Sequence, residues 1–181
     1  DGTLCVLLCD GMGSGPEANR ESALAVRLLE QFLQAGVETE HALLTLNAAL
    51  ALRGETGFTT VDLLQVDLFN GESVLYKFGA APTYIRKGSQ VRRLTGTSLP
   101  AGLDSGEQVR PDKTLLKLAP GDCVLMVSDG IVGTQDDQWL RDRLLQFDGQ
   151  SPKELAASLI TQTPEGATDD RTALAVKIGK R

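Results

Sequence analysis

Three acidic dipeptides stand where apolar runs begin or end. Asp10-Gly11 closes the run Leu4 to Cys9, Asp129-Gly130 closes the run Cys123 to Ser128, and Asp169-Asp170 immediately precedes the run Thr172 to Ile178. If the last run is a strand antiparallel to the other two in one sheet, its start lies at the edge where they end, and three carboxylates converge. Convergent carboxylates repel unless a cation neutralises them. Hard divalent ions, Mg²⁺ or Mn²⁺, do this with oxygen ligands, and glycine after an aspartate lets a backbone carbonyl approach as one more ligand. Two such ions about 3.5–4 Å apart can bridge a water, lower its pKa toward neutrality and hold hydroxide in line with a phosphorus atom. Asp-Gly is also a common turn dipeptide, and any one of the three alone reads as a loop. The combination, with a loop of three glycines at 11–15, is harder to explain as turns.

Composition excludes other chemistries. The chain has 181 residues, 24 acidic against 18 basic, for a net charge of −6. The acidic balance, with only 4% aromatic residues to stack on bases, argues against a nucleic-acid or anionic-membrane partner, which would demand basic patches. One histidine, His41, and three cysteines argue against a Ser-His-Asp hydrolase and a structural zinc site. Cys5, Cys9 and Cys123 lie in apolar runs and read as buried free thiols in a reducing compartment. No stretch approaches the roughly 18 consecutive apolar residues of a membrane span. The chain opens at Asp1 without an initiator methionine and reads as a piece of a longer protein, one domain over residues 1–181.

Elements must position these residues. The run Leu4 to Cys9 is a strand ending in a tight loop. From Glu21, Ala25, Leu28, Leu29, Phe32 and Leu33 recur at helical spacing, and Gly36 stops the helix. A second helix starts at Thr39 as N-cap and runs to about Leu52. Val61 to Phe69 and Ser73 to Phe78 flank Asn70-Gly71, a hairpin signal. Strands follow at Thr83 to Arg86 and Gln90 to Leu94, then a loop over Thr97 to Pro111, and a hairpin of Thr114 to Leu118 with Asp122 to Val127 around Pro120-Gly121. A helix over Asp137 to Phe147 precedes another that opens on the capping box Ser151-Pro152-Lys153-Glu154. A polar loop, Pro164 to Arg171, leads to the last strand. Hairpin-linked strands with helices in pairs predict an α+β fold of antiparallel sheet covered by helices.

Taken in order, Asp-Gly-Met-Gly-Ser-Gly at 10–15, Thr59-Thr60-Val61-Asp62, Gly79-Ala80-Ala81-Pro82, Leu99-Pro100-Ala101-Gly102, Ser128-Asp129-Gly130 and Asp169-Asp170-Arg171-Thr172 resemble the bacterial protein phosphatase 2C-like (PPM) serine/threonine phosphatases, and in particular the sporulation stage II E branch. The resemblance covers about Thr3 to Ile178. It implies a sandwich of two antiparallel β-sheets flanked by pairs of α-helices, and two Mn²⁺ or Mg²⁺ ions. Residue by residue, Asp10 corresponds to the carboxylate bridging both metals, Gly11 to the residue whose carbonyl binds the second, and Asp129 and Asp169 to the remaining ligands of the first, with Asp170 beside them as supporting group or alternative ligand. The implied substrate is a phosphoserine or phosphothreonine protein, a small phosphorylated anti-sigma-factor antagonist. An upstream regulatory region of the same chain, in a protein tethered at the cytoplasmic face of a membrane, is implied as controller, and homodimerisation stays open. The family's preceding strand, which carries an acidic residue near the second metal, is absent from this sequence. Ser14 stands where the family pattern has asparagine.

A catalytically weak or dead phosphoprotein-binding module of the same fold is the competing class; the intact set Asp10, Asp129 and Asp169 counts against it. A P-loop ATPase is excluded by the absence of Gly-Lys-Ser/Thr in 10–15. Arg20 and Arg53 read as solvated surface residues before phosphate binders. Asp62 reads as a satisfied strand aspartate, His41 as exposed, Trp139 as a packing anchor, and Cys5 and Cys9 as core residues beside Leu7.

Overall fold

The computed structural model describes residues 2–11, 13, 15–54, 57–104, 106, 109–133, 136–148, 151–162 and 169–179. They divide into two compact units, the first Asp1–Ala80 with Gly96–Leu116, the second Ala81–Thr95 with Lys117–Arg181. Met12 and Ser14 of the glycine loop and most of the polar loop Pro164 to Arg171 lie outside the described residues.

The first unit is built on a sheet of order β1-β2-β3-β6, formed by β1 (Thr3–Gly11), β2 (Thr59–Asp67), β3 (Glu72–Phe78) and β6 (Asp112–Lys117). Its helices are α1 (Pro16–Gln34) and α2 (Thr39–Ala51). α1 starts five residues before the periodicity suggests, because Gly15-Pro16 places proline in the first helical turn, where its missing N–H is no loss. It ends as expected at Gly36, whose φ of 80° lets Gly36 N–H reach the Leu33 carbonyl and Val37 N–H the Phe32 carbonyl, a Schellman stop. α2 is capped by Glu38 rather than Thr39: the Glu38 carboxylate accepts from His41 N–H at 2.9 Å, while Thr39 is buried and donates to Gln65 Oε1. The core side of this sheet buries Val61, Leu63, Tyr76 and Phe78 with Ala25, Leu29, Leu43, Leu46 and Leu50 of the helices. Each fully buried leucine contributes roughly 1.5–3 kcal/mol.

The opposite face of the sheet is buried too, and there Asp62 and Lys77, directly paired across β2 and β3, form an ion pair of 2.8 Å. The hairpin between those strands is not the two-residue type that Asn70-Gly71 suggests. Only Gly71 has positive φ, and the Asp67 carboxylate caps the turn by accepting from Phe69 and Asn70 N–H. Cys5 is exposed, a correction to the sequence reading; β1 pairs on one side in the sheet, and only Leu7 and Cys9 of its helix-facing residues join the core.

The second unit carries a sheet of order β5-β4-β7-β8, from β4 (Thr83–Lys87), β5 (Gln90–Leu94), β7 (Cys123–Val127) and β8 (Ala173–Lys177). Its helices are α3 (Asp129–Val132), α4 (Gln138–Gln146) and α5 (Pro152–Gln162). The core side joins Tyr84, Cys123, Leu125 and Val127 to Ile131, Leu140, Leu144, Leu155 and Leu159, with Trp139 packed at its edge. At α5, Ser151 Oγ accepts from Glu154 N–H at 3.2 Å, as the capping box requires. Asp137 locks α4 down, accepting from Tyr84 Oη at 2.6 Å and pairing with Arg93 and Arg141. The expected hairpin of β6 with β7 does not form: β6 lies beside β3 in the first sheet, β7 between β4 and β8 in the second. Around Pro120-Gly121 the chain turns through an Asp122 N–H to Ala119 carbonyl bond, but Gly121 N–H goes to Ile178 beyond β8. The α+β class, with two antiparallel four-stranded sheets and their helices, is as expected. No helix among the described residues is long and apolar enough to cross a membrane.

Candidate active site

In the second unit the acidic residues of two distant segments meet. Directly after β7 comes Ser128, which is buried, and its N–H donates to the Thr172 carbonyl at 3.0 Å. Its hydroxyl donates to the Asp170 carbonyl at 3.0 Å and accepts from Thr172 N–H at 2.9 Å. One serine thus clamps the segment before β8 against the end of β7. Asp129 follows at the first position of α3, and Gly130 lies so close to that segment that a Cβ there would stand 2.2 Å from the Asp170 carbonyl oxygen and 3.2 Å from that of Asp169. Only glycine fits. The Asp169 carboxylate accepts Asp170 N–H at 2.9 Å, which orders the acidic pair. Asp129, Asp169 and Asp170 are exposed, and none has a cationic partner among the described residues.

In the first unit Asp10 occupies the end of β1, opposite Thr60 in the β1–β2 register. Its carbonyl accepts from Thr59 Oγ1 at 2.7 Å and Thr60 Oγ1 at 3.3 Å. Thr59 is fully buried and also exchanges both backbone hydrogen bonds with Ala101, at 3.0 and 2.9 Å. The 99–104 loop is in turn held to α2 by Asn47, whose carboxamide accepts from Gly102 N–H and donates to the Asp104 carbonyl. Gly11 is pressed against α1: a Cβ would stand 2.0 Å from the Ala18 carbonyl oxygen. Next to Asp10, burial above all, with the Asp62 and Asp10 carboxylates adding to it, pushes the Cys9 thiol up to about 12, so it stays protonated and inert.

The structure therefore brings Asp129 together with Asp169 and Asp170 at adjacent strand ends. Asp10 and Gly11 belong to the other sheet, a correction to the one-sheet expectation: β1 pairs with β2, while β8 pairs with β7. Among the described residues no group of three or more histidine, cysteine, aspartate or glutamate residues is close enough to hold a metal. The donors at both positions are oxygen only, carboxylates and carbonyls beside glycines that admit close approach, and this chemistry suits Mg²⁺ or Mn²⁺. Asp62 Oδ2 pairs with the Lys77 ammonium at 2.8 Å, and His41 is exposed as expected. Sequence reasoning missed the clamping Ser128 and the hydroxyls of Thr59 and Thr60; the signal was their adjacency to Asp129 and their register opposite Asp10.

The fold is PPM phosphatase-like. It superposes on a structure of the PP2C phosphatase domain and a fragment of the regulatory domain of SpoIIE from Bacillus subtilis with a TM-score of 0.86 and 30% identity, covering 97% of this chain and 55% of that one. The chain belongs to the Stage II sporulation protein E (SpoIIE) family, whose sequence model matches residues 1–179. It is 32% identical over 181 residues to Stage II sporulation protein E of Bacillus subtilis, covering 94% of this chain and 22% of that protein's length. A manganese-presoaked structure of the Bacillus subtilis SpoIIE phosphatase domain matches with a TM-score of 0.60 and 25% identity, covering 99% of this chain and 86% of that one.

Proposed function

We propose that the two units together form one phosphatase domain of a longer protein, which hydrolyses phosphoserine or phosphothreonine in a protein substrate with two Mn²⁺ or Mg²⁺ ions. The observation that carries this reading is the clamp by which Ser128 holds Asp169-Asp170 against Asp129-Gly130, in a chain of the SpoIIE family. Asp129 and Asp169 would hold one cation, with Asp170 beside them. Asp10 would bridge to the second, which the Gly11 carbonyl would also meet. Bound there, the cations supply a water acidified enough to attack phosphorus at neutral pH. The chain's own part is to fix the segments that carry the carboxylates: Thr59 and Thr60 hold the Asp10 main chain, and Ser128 holds the Asp170 main chain. The substrate we favour is a small phosphorylated anti-sigma-factor antagonist, with the domain at the cytoplasmic face of a membrane-tethered protein under control of its upstream region.

The test is phosphate release from a phosphoserine protein in Mn²⁺, Mg²⁺ or EDTA, repeated for Asp10→Ala and Asp129→Asn. The expected result is cation-dependent release that falls at least about a hundredfold in either variant. Release in EDTA, or full activity in both variants, overturns the mechanism. Phosphoprotein binding without turnover by the full-length protein would favour the binding-module reading.

A further inference from the structure

Away from the acidic strand ends, the first unit carries a cavity of about 550 Å³ whose walls include Arg20 and Arg27 of α1 and Arg53, just past the end of α2. Arg20 and Arg27 are seven residues apart, so they share one stripe of the helix about 10 Å apart along its axis. Arg53 is held across the cavity by Glu21, Nη2 to Oε1 at 3.0 Å. Both arginines on α1 are exposed and neither has an ion-pair partner among the described residues, although the chain as a whole is acidic by six charges. Glu21 is only 14% exposed, and its second oxygen, Oε2, is buried without a hydrogen-bond donor. The cavity is far larger than one phosphate group needs. It starts at the first turns of α1, where the Ala18 carbonyl abuts Gly11.

Guanidinium groups spaced along two helical turns match carboxylates spaced along an extended chain, each fork taking a carboxylate bidentately. We infer that this groove docks an acidic peptide segment of the protein substrate, next to the residue that carries the phosphate. The partner's identity as a substrate rests on the phosphatase reading; the binding itself does not.

The experiment measures fluorescence anisotropy of a labelled Asp/Glu-rich peptide, in phosphoserine and in serine form, with the full chain in EDTA. The serine peptide is expected to bind, and Arg20→Glu with Arg27→Glu to weaken it about tenfold or more; raising salt from about 50 to about 300 mM weakens wild-type binding similarly. Circular dichroism confirms that the double variant folds, and its turnover of p-nitrophenyl phosphate, which has no acidic flank, stays at the wild-type level. Unchanged peptide affinity in the double variant, binding only of the phosphoserine form, or loss of p-nitrophenyl phosphate turnover each overturns the docking role. If wild type turns over no phosphate ester at all, the phosphatase reading fails while the peptide measurement still decides the groove.

Discussion

Replacing Gly130 by alanine tests whether the packing of α3 on the acidic segment sets the site. By helix propensity alone, alanine in place of glycine stabilises a helix by about 1 kcal/mol. Here the sign reverses. The new Cβ would stand 2.2 Å from the Asp170 carbonyl oxygen, against a comfortable contact of about 3.5 Å, so the segment must retreat by about 1 Å. It cannot do so freely, because Ser128 holds Asp170 and Thr172 by three hydrogen bonds. Overpacking of this kind costs about 1–3 kcal/mol, and a displacement of about 1 Å at reacting groups lowers turnover about a hundredfold. Urea unfolding, Mn²⁺ titration by calorimetry and phosphate release, all on one preparation, read the three consequences. A Gly130→Ala protein as stable as wild type, with wild-type turnover, would refute the idea that this close approach positions Asp169 and Asp170.

Lys77→Met leaves the Asp62 carboxylate in a buried place without its ion pair and should destabilise the protein by about 3–5 kcal/mol, with much of that recovered in Asp62→Asn/Lys77→Met; urea denaturation of the single and double variants checks both. Asp112 is pushed up by burial, but hydrogen bonds from Ser98 and Thr97 outweigh this and hold its carboxyl below the usual range. Its contribution is therefore complete above about pH 4 and is lost as pH falls through the lowered folded value, so Asp112→Asn should flatten the acid limb of a stability-versus-pH curve below about pH 4. Alkylation with iodoacetamide followed by mass spectrometry should modify exposed Cys5 first. Burial pushes Cys9 up to about 12 and Cys123 up to about 11, so these should react only after unfolding.

Local signals in the sequence were reliable where a few adjacent residues decide the outcome. Gln90 to Leu94 is β5 to the residue, Ser151 caps α5, and Gly36 stops α1. Signals failed where the partner is remote. Pro120-Gly121 makes a turn, but a turn does not say which strands its flanks will join, and β6 and β7 went to different sheets. The same limit misassigned β1 to the sheet of β7 and β8, since Leu4 to Cys9 is equally apolar whichever neighbour it takes. α3 is four residues long, too short to show a period, and the sequence predicts no helix before Asp137. In the site, residue types exposed the oxygen donors, whereas Ser128, Thr59 and Asn47 act through hydrogen bonds to segments 42 or more residues away in sequence, which no spacing rule registers.

The Ser128 clamp also sets an order in time. Its hydroxyl closes on a carbonyl 42 residues further along the chain, and the entropic cost of closing such a loop must be met before the contact returns anything. A growing or refolding chain can have β7 and Asp129 in place and still lack Asp169 and Asp170. The acidic pair arrives only when β8 docks on β7, so under the proposed two-cation reading, cation affinity at this end of the sheet would report that the whole second unit has been completed.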